Sequence, residues 1–135
     1  MDLGSTIDIS ASGLRAQSLR MRVIAENLAN QDSLAATPGG TPYTRKIVTF
    51  RPVTDAKSGA TVVSTGRVLS DAAQFRREYR PGNPAADAQG YVLLPNVNGL
   101  IESADMQLAQ RSYEANLNVI EAARSLTTRT LDLLR

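Results

Sequence analysis

The sequence predicts a mainly α chain with a small β-rich insertion. Its long N- and C-terminal helices are expected to pair as an intermolecularly packed coiled coil. Three observations carry this expectation. Apolar residues recur at heptad spacing near the N-terminus. Residues 100–135 hold no proline and no glycine. Turn residues and short β-branched runs are concentrated between the two. The chain therefore divides into an N-terminal helical segment (1–32), a loop and β-rich middle with a connector (33–97), and a C-terminal helical segment (98–135). The two outer segments are expected to make one helical core.

The first helix is predicted over about residues 5–29. Ser5 with Asp8 three positions on reads as a capping box. Ile7, Ala11, Leu14, Ser18, Met21, Ala25 and Leu28 then follow 4-3 spacing, while Arg15, Arg20, Arg22 and Glu26 lie off that stripe. Asn30 is the expected stop, since Asn tolerates the left-handed conformation that ends helices. Residues 31–42 read as loop. "YTRKIVTFRP" alternates as a strand and is expected to stop at Pro52. "GATVVSTGRVLS" gives a second strand, or a hairpin about Ser64-Thr65-Gly66, and "QFRREY" a third.

A dense connector follows. Pro81, Gly82, Asn83 and Pro84 turn the chain, and Asp87 reads as a turn residue ahead of Gly90. Tyr91 to Leu94 form a short strand stopped by Pro95. The second helix starts at a cap on Asn98 or Gly99. Glu102 and Asp105 near its start and Arg124, Arg129 and Arg135 near its end complement the helix dipole. Its seam runs through Leu117, Ile120, Arg124, Thr127, Leu131 and Leu134, with Leu108 upstream.

Composition narrows the chemistry. With no Cys and no His, the chain lacks disulfides, thiolate nucleophiles, the commonest general base and the commonest metal ligand. The only groupings to consider for catalysis or a cation are Asp55 with Lys57 and the lone Asp87. Neither brings a base, a nucleophile and an oxyanion donor together. No enzyme activity, cofactor, metal or small-molecule substrate is expected. The N-terminus lacks the basic and apolar regions of a secretory signal, and no run approaches the length needed to span a bilayer. Any export is expected to proceed without a cleaved signal peptide.

Two helices of roughly 35 and 50 Å cannot cover their own flanks; Leu19, Val23 and Ile24 stand beside the first stripe. The helices are expected to be completed by other chains. Candidate interface residues are Ile7, Ala11, Leu14, Met21, Ala25, Leu28, Leu108, Leu117, Ile120, Leu131 and Leu134. Asn27 and Asn30 are candidate register-fixing groups, and Tyr113 and Asn116 are candidates for bonds across helices. The alternative is a small nucleic-acid-binding module. Residues 43–80 carry a net charge of +5, with Tyr43, Phe50, Phe75 and Tyr79 among Arg45, Lys46, Arg51, Arg76 and Arg77. Those charges fall on both strand faces, where they also serve to protect a sheet edge.

Specific strings carry a resemblance. Asn27-Leu28-Ala29-Asn30 is similar to the N-terminal signature of bacterial flagellar axial proteins. Residues 79–87 (YRPGNPAAD), 90–97 (GYVLLPNV) and 110–116 (QRSYEAN) resemble the proximal-rod family of the flagellar basal body, the FlgC type. In axial proteins Thr-Pro-Gly-Tyr often follows the first motif closely; here a longer loop separates Thr37-Pro38-Gly39 from Tyr43. The resemblance implies a structural subunit of the rod, the drive shaft crossing the periplasm, with the terminal helices paired inside a helical tube of subunits. It implies as partners other rod proteins and copies of the same chain, a membrane-ring adaptor and the flagellar type III export apparatus.

Overall fold

The computed structural model of the chain describes residues 2–134. In order, the elements are α1 (Leu3–Ala29), β1 (Lys46–Thr54), β2 (Thr61–Ser70), β3 (Arg76–Tyr79), β4 (Tyr91–Leu94) and α2 (Gly99–Leu133). The strands form two separate two-stranded sheets, β1 with β2 and β3 with β4. The mainly helical chain with a β-rich insertion is thus observed.

Three local expectations are corrected, and of the two readings of residues 59–70 the second strand is the one observed. The first helix starts at Leu3, so Ser5 lies inside it and donates its hydroxyl to Asp2 O at 2.7 Å; the capping box does not form. β1 runs through Pro52 to Thr54. The chain reverses at Asp55–Ala60, where Asp55 N donates to Ala60 O at 2.8 Å; Ser64, Thr65 and Gly66 lie inside one continuous strand. N–H groups alternate sides along a strand, so Pro52, three positions before Asp55, puts its missing donor on the edge away from β2. There a proline removes no ladder bond. Finally, Asn30 ends α1 without a left-handed backbone. Its amide donates to Glu26 O at 2.9 Å, and no non-glycine among the described residues has positive φ.

Contacts divide the chain into two units. One contains residues 2–21, 48–67 and 107–134; the other contains 22–47 and 68–106. The core of the first combines small side chains, Ser10, Ser12 and Ala16 on α1 and Ala109 and Ala123 on α2, with the larger Ile120 of α2. Gly13 sits directly against Asn116, whose Oδ1 a Cβ would meet at 2.7 Å, so the glycine lets the Asn116 side chain lie against the α1 backbone. Ser12 ties β2 to α1 by accepting the Val63 N–H at 3.0 Å.

The second unit is built on Val23, Ile24, Val92, Pro95 and Val97. Its β3–β4 ladder is antiparallel, with Arg76 opposite Leu94 and Tyr79 opposite Tyr91. Asn98 caps α2, its Oδ1 accepting the Leu100 and Ile101 N–H groups at 3.1 and 3.4 Å. Glu102 stands in the first turn; among the described residues the last turn carries no basic side chain, and the expected Arg135 lies outside them.

Candidate assembly surface and a polar clamp

In the second unit, Asn27 is 1% exposed and fully engaged. Its Oδ1 accepts the Lys46 N–H and the Tyr43 hydroxyl, both at 2.9 Å. Its Nδ2 donates to Lys46 O at 2.9 Å and to Glu102 Oε2 at 3.1 Å. One amide side chain thus reads both polar groups of the first residue of β1, as a neighbouring strand would. Asn27 is therefore spent inside its own chain, where the sequence suggested a group for a partner.

Glu102 is 0% exposed and accepts a second bond, from Arg45 Nε. Arg45 continues to Asp71 at 3.0 Å and Asp105 at 3.9 Å. Burial draws the Arg45 pKa down, but its hydrogen bonds to Glu102 and Asp71 outweigh that and raise it above the usual value. The Ala73 N–H, followed by Arg45, lowers the pKa of Asp71. Asn96 completes the cluster, accepting the Arg45 N–H at 2.7 Å and donating to Asp71 O and Ala73 O. Tyr43 is raised, by burial first and then by Glu26; Glu26 also pairs with Lys46, whose pKa that hydrogen bond raises.

The connector is shaped by Asp87. Its Oδ1 accepts the Tyr91 and Gln89 N–H groups at 2.9 and 3.0 Å, and its Oδ2 pairs with Arg77 at 3.1 Å. The Tyr91 N–H is the largest cause of its lowered pKa, with Gln89 and Arg77 adding to it. Arg77 also lies over the Tyr91 ring, 4.7 Å from its centroid, and Tyr79 meets that ring edge-on at 5.3 Å. Asn83 caps the preceding turn through Ala85 N–H at 2.9 Å. Gly90 and Pro95 are buried; Pro81, Gly82 and Pro84 are exposed.

The expected interface residues separate into three groups. Ile7, Ala11, Leu14, Met21 and Leu28 are half-buried, and Ala25 is exposed; the covered face of α1 runs instead through Ser12, Ala16, Val23 and Asn27. Leu108, Leu117, Leu131 and Leu134 are exposed. Ile120 is buried within the chain. Tyr113, Asn116 and Asn30 are half-buried, with Asn116 donating to Ser112 O on its own helix and Asn30 to Glu26 O. On α2 the covered face passes through Glu102, Ala109, Asn116, Ile120 and Ala123, a heptad row sharing only Ile120 with the seam expected from the sequence. Outside that face, Leu100 (82%), Ile101, Leu117, Val119, Leu126, Leu131 (60%) and Leu133 (87%) face outward.

Sequence reasoning missed Glu102 as an anchor, Gly13 as a contact point and Asn96 altogether. A lone acid in a first helical turn reads as a dipole partner, and nothing local reveals an arginine 57 positions away.

Comparisons with known proteins give the family. The family described as "Flagellar basal body rod FlgEFG protein C-terminal" matches residues 88–133. The chain is 50% identical over 133 residues to the flagellar basal-body rod protein FlgC of Agrobacterium fabrum, covering 98% of this chain and 96% of that one. It is 42% identical to FlgC of Salmonella typhimurium and 39% identical to FlgC of Aquifex aeolicus, covering 98% of this chain each time and 98% and 97% of theirs. Near-full-length identity to these proteins defines a structural subunit of the flagellar basal-body rod. Within that class, the chain belongs to the FlgC family.

Proposed function

We propose that this rod subunit assembles through the outward faces of α1 and α2, which neighbouring copies and other rod proteins cover. The carrying observation is the set of outward Leu, Ile and Val along α2, which the chain itself leaves uncovered. The outer segments 1–32 and 98–135 then serve as the rod core, and segment 33–97 is held by the Asn27–Glu102 clamp as a shaped attachment. The same reading places the subunit in the periplasm, with a membrane-ring adaptor and the flagellar type III export apparatus as further partners and export proceeding without a cleaved signal. The role is mechanical, with no catalytic step assigned to any residue. Family membership sets aside the nucleic-acid alternative, and Arg45, Lys46, Arg77 and Arg80 of the basic middle are each paired with an acid.

The test replaces a helix residue. Leu117→Asp on the outward face of α2, and Leu28→Asp at a half-buried position of α1, are expected to abolish swimming while the chain is still expressed and exported. Swimming cells carrying either change would remove the helix faces from the interface.

A further inference from the structure

The geometry points to a second contact between copies, away from the helix stripes: the last turns of α2 of one copy seat in a cleft at the start of α1 of the next. The inference rests on the reading of the chain as a self-assembling rod subunit. The cleft has a volume of about 990 Å³ and lies between the first two turns of α1 and the Asp55–Ala60 turn joining β1 to β2. Ile9 and Ala60 give it apolar surface, Asp2 and Asp8 line the helix side, and Lys57 lines the turn side. Among the described residues none from α2 lines it, so the chain does not fill it with its own second helix.

An occupant must therefore be apolar along one side and present a cation toward the helix wall and an anion toward the turn. The end of α2 has that pattern. Leu126, Arg129 and Leu133 share one face at 3-and-4 spacing, Asp132 borders it, and both leucines are exposed, Leu133 most of all. Asp8, Arg129 and Asp132 make no ion pair within the chain among the described residues. In the contact, Arg129 meets Asp8 and Asp132 meets Lys57. The partial negative end of one helix also faces the partial positive start of the other, which favours the same orientation. Cleft and helix end are different patches, so the contact is heterologous rather than a two-fold pairing. It adds copies in succession, as an open helical assembly requires.

The absence of native cysteine makes the test direct. Ser58→Cys and Leu133→Cys are expressed as two separate chains in one cell, and assembled basal bodies are oxidised gently. The expected product is a disulfide dimer containing one chain of each kind, formed only when both are present. Cells that swim but give no mixed dimer would overturn the contact while leaving the rod assignment intact. A crosslink from either cysteine to a protein of another mass would overturn the choice of a second copy. Where a cysteine variant blocks swimming, charge exchange decides. Asp8→Arg and Arg129→Asp are each expected to reduce swimming several-fold, and the two together to restore most of it. A combined variant no better than either alone would overturn the pairing.

Discussion

At Gly90 the backbone has φ of +86°, and a Cβ there would lie 2.8 Å from Tyr79 Cε2 and 3.1 Å from Pro81 Cβ. Backbone conformation and neighbouring atoms thus exclude a side chain for separate reasons. Gly90→Ala is expected to destabilise the subunit by about 1–3 kcal/mol, read as a lower urea midpoint at unchanged slope. Asp87 and Asp71 have pKa values lowered by folding. A carboxylate of that kind adds stability that is present above its unfolded pKa, near 3.9, and lost as pH falls through the folded value. Urea midpoints should therefore hold steady from neutral pH to about 5 and drop below about 4. Asp87→Asn, which keeps an oxygen for both N–H groups, should make that drop shallower. The turn at Asp87 was legible in the sequence because an Asx turn is local chemistry. The service of Asn27 was not, because its partners Lys46 and Glu102 lie 19 and 75 positions away.

Among elements, the joint between the approach to β1 and the start of α2 carries the largest electrostatic commitment. Glu102 is wholly buried, and Arg45 is its charged partner. Removing one member of such a pair leaves an uncompensated charge, and Arg45→Met is expected to lower stability by about 3–5 kcal/mol. Arg45→Met with Glu102→Leu should recover much of that loss, because the buried charge has gone as well. Equal losses in the single and double variants, measured by chemical denaturation, would show that the pair does not act as a unit. Helix existence was readable from spacing and from the lack of breakers over 100–135. The covered face was not, because Ser12, Gly13, Ala16, Ala109 and Ala123 make their seam by closeness, and small residues leave no apolar period to detect. The heptad row of Ile7, Ala11, Leu14, Met21 and Leu28 is real as a pattern, but it lies off the chain's own seam.

For the molecule as a whole, helices of 27 and 35 residues hold few large buried side chains between them. Isolated helices gain most of their stability from packing, so ordering of α1 and α2 should depend on neighbours. The dilute monomer is expected to show less helix by circular dichroism than these lengths imply, with the signal rising on assembly. A fully helical monomer with one sharp melting transition would contradict this. Such a subunit must associate readily with its own kind, yet in only one manner. Two-stranded sheets offer bare backbone on their rims, and a crowded queue of identical chains is where stacked, fibril-like deposits begin. Pro52, set on the outer rim of β1 with no donor to give, interrupts that route. It leaves side-by-side growth to the helices, where geometry rather than backbone hunger decides who joins.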